Sequence, residues 1–154
     1  MEQILPASRY TWQVTISKNA DNGLRRTRNQ QSPKMTPASP TIEICPGISR
    51  RTVAHGKTMY QMLATLEAGS RMPAHSHEQE QIVHILEGKM RLFVNGVPHE
   101  LSVGDSFYLA SNVPHGVETL LPTRVLDTFS PPRDDYLKMD DEARRVGGSQ
   151  VFSK

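Results

Sequence analysis

The sequence predicts an all-β domain in which short antiparallel strands close into a barrel or sandwich. Apolar and polar residues alternate in short runs, the mark of strands with one buried face. Turn signals punctuate those runs at the spacing of about 8–12 residues expected of such folds. No heptad pattern, Gly-rich phosphate loop or repeat of fixed period is present.

The patterned region begins at Ile42. Residues Met59 to Glu67 (MYQMLATLE) form the first clear strand, broken by Ala68, Gly69 and Ser70. Residues Gln81 to Leu86 (QIVHIL) form a second, closed by Glu87 and Gly88. Met90, Leu92 and Val94 then alternate with Lys89, Arg91 and Phe93. Asn95-Gly96 follows, before the run Val97 to Leu101. Asn-Gly between two alternating runs is a strong hairpin signal, because a type I′ turn needs φ > 0 at both central residues. Gly104-Asp105 turns into Phe107, Tyr108 and Leu109, and Asn112 to Gly116 turns into Val117, Glu118 and Thr119. Arg124 to Phe129 is the last strand, stopped by Pro131-Pro132. Asp140 to Val146 is the one helical stretch, with Asp140/Arg144 and Asp141/Arg145 at i,i+4 spacing.

Length and charge bound the rest. The chain has 154 residues, enough for one domain with its own core. Its single cysteine closes no intrachain disulfide, and the N-terminus shows no secretory pattern, so a cytoplasmic protein is expected. No apolar run is long enough to cross a membrane as a helix. The net charge of +2 hides a split: residues 1–40 carry six basic and two acidic side chains, residues 41–154 carry 12 and 14. Residues 1–41 therefore read as a polar, Pro-containing extension, flexible or docked on a partner, in which only Tyr10 to Ile16 (YTWQVTI, with Trp12) suggests a strand. Arg25, Arg26 and Arg28 could be a nucleic-acid arm. Three arginines without interleaved aromatics are a weak footprint, so a solvated extension, or a true start at Met35, is the expected reading and no nucleic-acid partner is assigned.

Chemistry concentrates in one stretch. His75 and His77 are two apart, so on extended chain they share a face and can converge on one ion. Gln81 has the same parity and can add an amide oxygen. His115, in the turn Val113-Pro114-His115-Gly116, can close the site from another strand. Three imidazoles and an amide oxygen suit a divalent first-row metal (Mn, Fe, Co, Ni or Zn). Glu80 has the wrong parity and would need a bulge to reach it.

These residues carry a resemblance. Gly69, five residues, His75-x-His77, three residues, Gln81, six residues and Gly88 resemble the first motif of the cupins; Gly104-Asp105 through His115 resembles the second, across a spacer of 15 residues. The resemblance implies a single-domain jelly-roll (double-stranded β-helix) barrel over residues 42–139 with a metal inside. Residues 140–154 are left as a short C-terminal helix and tail. Two departures stand out. The second motif has Ala110 and Asn112 where cupins usually have Pro and Gly, and Asn tolerates the left-handed turn. Gln81 stands where Glu is usual, which leaves the site more positive and a stronger Lewis acid, with lower affinity for the ion.

A narrower resemblance covers about Ile42 to Met139. His75-x-His77 with Glu80-Gln81-Ile82, then Leu86-Glu87-Gly88, the run Asn112 to Gly116, and the run Val125 to Tyr136 with Asp127-Thr128-Phe129-Ser130-Pro131-Pro132-Arg133 at its centre are similar to the pectin-degradation cupins. These open the ring of 4,5-unsaturated monouronates to linear keto acids. The resemblance implies a metal-dependent enzyme, a small carboxylate substrate and a homodimer. Asp127 and Phe129 share one face of the last strand, opposite Leu126. If that face lines the barrel, Asp127 can shuttle a proton, with Phe129 in the substrate pocket and Arg133 gripping the substrate carboxylate. The plainer alternatives are an Asp127 paired with Arg124 or Arg133, and an Arg133 on the surface. His84 should face away from the metal, His55 and His99 lie in turn-like contexts at the surface, and Cys45 has no basic partner. A dioxygenase or lyase on the same metal site, and a non-enzymatic small-ligand sensor, are the competing functions.

Overall fold

The computed structural model describes residues 39–149. The readings made for Tyr10 to Ile16, Arg25, Arg26, Arg28, Met35 and residues 150–154 lie outside them. Eight strands and one helix follow in order: β1 (Ile42–Cys45), β2 (Ile48–His55), β3 (Tyr60–Leu66), β4 (Arg71–His75), β5 (Glu80–Val94), β6 (Val97–Ser102), β7 (Ser106–Leu109), β8 (His115–Ser130) and α1 (Asp134–Ser149). No helix among the described residues is long and apolar enough to cross a membrane.

All pairings are antiparallel, in the order β1-β2-β3-β8-β5-β6, with β4 added to β8 and β7 to β5. The two long strands organise this sheet. The first half of β5 pairs with the second half of β8, and the second half of β5 with the first half of β8. The register shifts around Glu87 to Met90 mark the bend between the halves. The interior faces then meet: Met62, Ala64, Val83 and Val125 from one half and Met72, Met90, Leu92 and Val117 from the other line one cavity. This is the expected all-β jelly roll. Period-two alternation explains its core, since Val83, Ile85, Met90 and Leu92 of β5 are each at most 3 % exposed.

Three expectations need correction. The chain does not break at Glu87-Gly88 or between Thr119 and Arg124; β5 and β8 run on as single bent strands. Gly88 is the device that bends β5, because its φ of 82° leaves the strand region. The helix begins at Asp134 rather than Asp140, with Asp134 and Asp135 in the first turn where they complement the helix dipole. His99 lies on β6 rather than in a turn, half-buried with its ring 4.9 Å from that of Phe107. The turn readings hold: Asn95 and Gly96 have φ of 50° and 79°, and Asn112 has 62°.

A Cβ at Gly88 would sit 2.0 Å from the carbonyl oxygen of Pro122, in a backbone region that L-residues rarely adopt. Gly88→Ala is therefore expected to destabilise the fold by about 2–3 kcal/mol or more. Chemical denaturation measures it, and an unchanged midpoint would show that the bend does not depend on glycine.

Candidate metal centre and cavity

The strand ends gather the chemistry. His75 ends β4, His115 begins β8, and the two face each other in the β4–β8 ladder. His77 lies between β4 and β5, and Gln81 enters with the start of β5. Ring centroids are 4.4 Å apart for His75 and His115, 4.9 Å for His77 and His115, and 5.9 Å for His75 and His77. One ligand atom from each histidine lies within 4.8 Å of the others, a group that could hold a metal ion.

The protons can be assigned. Each Nδ1 meets a backbone carbonyl: Pro73 at 2.9 Å for His75, Gln79 at 2.9 Å for His77, and Val113 at 2.8 Å for His115. A carbonyl only accepts, so each Nδ1 carries a proton, and in the neutral ring it is Nε2 that keeps a lone pair. Outer carbonyls of this kind commonly fix metal-binding imidazoles. The Gln81 amide donates from Nε2 to Asp127 Oδ1 at 2.8 Å, which turns its oxygen toward His77 Nε2 at 3.1 Å. Two acceptors thus face each other, an arrangement that a cation bound beside both would satisfy. A proton is a poor candidate. Burial, helped by the Arg133 charge, lowers the pKa of His77, and burial pushes His115 down to about 4. The donor set therefore fits a divalent ion.

The same cavity holds a second group of residues. Asp127 is 5 % exposed on β8, and burial raises its carboxyl to about 7 against the opposing Gln81 hydrogen bond and Arg133 charge. Phe129 lies two residues on, 2 % exposed, with its ring 5.5 Å from that of His77. Arg133 is 9 % exposed, so it is not a surface residue. Its Nε and Nη2 donate to Asp135 at 2.9 and 2.7 Å, and its guanidinium lies 3.8 Å from the Tyr136 ring centroid and 5.3 Å from that of Phe129. All three residues line the cavity with the histidines and Gln81.

The alternative pairings drop out. Arg124 pairs with Glu87 on the outside and Arg133 with Asp135, so neither is the hydrogen-bond partner of Asp127. Glu80 points outward and accepts from the Tyr108 hydroxyl at 2.7 Å. His84 faces away and meets Ser106 at 2.8 Å, His55 is exposed, and Cys45 contacts the Met72 sulfur at 3.3 Å. Asp140 does not pair with Arg144, which meets Asp141 instead; it is buried against Arg50. Sequence reading missed that pair and Gln79, and gave Tyr136, the end of the resembling run, no role of its own. The available signal was Arg50 itself, which shares the inward parity of Ile48 and Thr52 and so demands a buried partner.

The comparisons with known proteins agree with this fold. A model of the cupin domain matches residues 62–129. The pectin degradation protein KdgF of Dickeya dadantii is 30 % identical over 101 residues, which span 64 % of this chain and 92 % of that protein. The chain belongs to the cupin family. Among solved cupins, the structure of KdgF from a Halomonas species overlays with a TM-score of 0.60 at 32 % identity, covering 63 % of this chain and 90 % of that one. An RmlC-like cupin from Shewanella frigidimarina gives 0.60 at 28 % identity, over 64 % and 88 %. The cupin-domain match contains His75, His77, Gln81, His115, Asp127 and Phe129 and stops short of Arg133.

Proposed function

We propose that this cupin is a metal-dependent enzyme that opens the ring of 4,5-unsaturated monouronates to linear keto acids. The observation that carries this is the meeting, in one cavity, of the His75/His77/Gln81/His115 donor set with a carboxyl that titrates near neutrality and a buried arginine. Similarity to the pectin degradation protein supports the substrate class.

A divalent ion held by those four side chains would supply Lewis-acid stabilisation of charge developing on the substrate oxygens. The protein supplies the rest. Ring opening is an isomerisation: the anomeric hydroxyl loses a proton, the bond from that carbon to the ring oxygen breaks, and the alkene carbon gains a proton. Asp127, at about 7, can both take and return a proton at neutral pH. Gln81 holds its Oδ1, which leaves Oδ2 for the substrate. Arg133 receives the substrate carboxylate at its Nη1 end, because Asp135 occupies Nε and Nη2. The Phe129 and Tyr136 rings, with centroids 5.3 and 3.8 Å from the guanidinium carbon, pack against it.

The test begins with metal analysis of the purified protein and continues with incubation on unsaturated monouronate. Enol-ether ultraviolet absorbance should fall faster than spontaneously. Arg133→Met should raise KM about 10–100-fold, as loss of a charge-assisted hydrogen bond predicts, with kcat much less affected. A spontaneous rate with metal-loaded protein refutes the assignment, and oxygen uptake by an iron-loaded sample would point to the dioxygenase instead.

A further inference from the structure

Helix α1 meets the barrel through few side chains. Tyr136 and Leu137 pack against the core and Asp140 is 1 % exposed, whereas Asp141, Glu142, Arg144 and Val146 lie at the surface. Yet the start of this helix carries Tyr136, beside Arg133, in the wall of the cavity. Something must fix that start.

The fixture is a buried polar cluster. Arg50, also 1 % exposed, donates from Nη1 to Asp140 Oδ1 at 2.6 Å and from Nη2 to the Tyr136 carbonyl at 2.9 Å. The Thr52 hydroxyl donates to Asp140 Oδ2 at 2.5 Å, so the Tyr60 hydroxyl, 2.7 Å away, donates to Thr52. Arg50 lies 4.4 Å from the centroid of the Tyr136 ring, the same ring that Arg133 covers at 3.8 Å. Stability is a poor explanation for this cluster. Buried ion pairs are commonly matched or bettered by apolar residues of similar volume. Among the described residues Arg50 Nε also has no hydrogen-bond partner, a cost that a device built for stability would avoid. What an ion pair with bound hydrogens does provide is a fixed direction.

We propose that Arg50 and Asp140 are positioning residues: they lock the first turns of α1 and, through Tyr136, set the guanidinium of Arg133 at the cavity. Neither lines the cavity itself. The kinetic part rests on the reading above, in which Arg133 receives the substrate carboxylate; the structural part does not.

Two readouts test it on the full-length, metal-loaded protein. In the first, the Arg133 Nε–H signal is followed by ¹⁵N NMR. The bidentate pair with Asp135 should give a resolved, slowly exchanging signal that broadens or shifts in Arg50→Met/Asp140→Leu while barrel amide signals stay in place. An unmoved Arg133 signal overturns the proposal whatever the substrate proves to be. In the second, kcat/KM on unsaturated monouronate should fall about tenfold or more in the double variant, mainly through KM. The same change made in an Arg133→Met background should cost less than about twofold, because contacts that act through one residue are not additive. Equal losses in both backgrounds would mean a merely structural role and overturn the proposal. If the double variant does not fold, Thr52→Val removes only the hydroxyl that binds Asp140, and the same signal and KM should move in the same direction. If wild-type protein turns over no uronate, the functional reading has failed and the NMR signal alone decides the positioning role.

Discussion

Replacing His115 by alanine is expected to abolish stoichiometric metal binding and to cut uronate turnover by about a thousandfold or more. His115 is the centre of the histidine group: it lies 4.4 and 4.9 Å from its two neighbours, which are 5.9 Å from each other. It is also the best prepared of the three. Burial at 5 % exposure and a pKa near 4 keep it neutral, and the Val113 carbonyl keeps the proton on Nδ1. Losing such a group costs more than the 10–100-fold typical of an outer-shell contact. The several kcal/mol a metal supplies as a Lewis acid correspond to roughly a thousandfold in rate. Metal content per chain and turnover, measured on the same folded sample, check both halves. His84→Ala is the control, since His84 binds Ser106 on the outer face and should change neither. A His115→Ala protein that keeps its full metal complement would remove this residue from the centre.

What sequence could show here was parity. Counting in twos from recognisable strands puts Asp127 and Phe129 on one face and turns Gln81 toward His75 and His77, with Glu80 and His84 opposite; the structure buries Gln81, Asp127 and Phe129 on the cavity face and pairs Gln81 with Phe129 across the ladder. The Asn95-Gly96 hairpin and the left-handed Asn112 were legible for a similar reason, because their chemistry is local. The failures are non-local or ambiguous. Gly88 reads as a stop, and only the pairing of β5 with β8 shows that it is a bend. Asp140 has a plausible helical partner in Arg144 and takes Arg50, 90 residues away, because the burial of that arginine decides the pairing. Arg133 follows two prolines that end the strand, and nothing local says whether the chain turns back over the barrel. Its two neighbours, Asp135 and Tyr136, are what hold it there.

Asp127→Asn separates the cost of the site from its use. The change keeps the shape and an oxygen to accept from Gln81, and it removes the negative charge together with the ability to exchange a proton. Turnover is expected to fall at least about a hundredfold, the range for loss of a general acid–base. A loss below about tenfold would argue that Asp127 does not move the proton. Stability should move the other way. In the metal-free protein the carboxyl rises from 3.8 in the unfolded chain to about 7 when folded, because burial disfavours its charge. Below pH 3.8 both states are protonated and the residue costs nothing by this route. Between 3.8 and about 7 the folded state binds more protons, so stability falls as pH rises; above about 7 the loss is complete. The shift corresponds to roughly 4 kcal/mol, an upper figure for what asparagine could restore. Metal-free Asp127→Asn should therefore melt above wild type at pH 8, match it near pH 4, and lose the downward slope between them. A bound cation favours the carboxylate, so the advantage should shrink in the metal-loaded protein. Lost turnover with no stability gain at pH 8 would mean that Asp127 already sits as a satisfied anion, a charge stabiliser rather than a proton carrier.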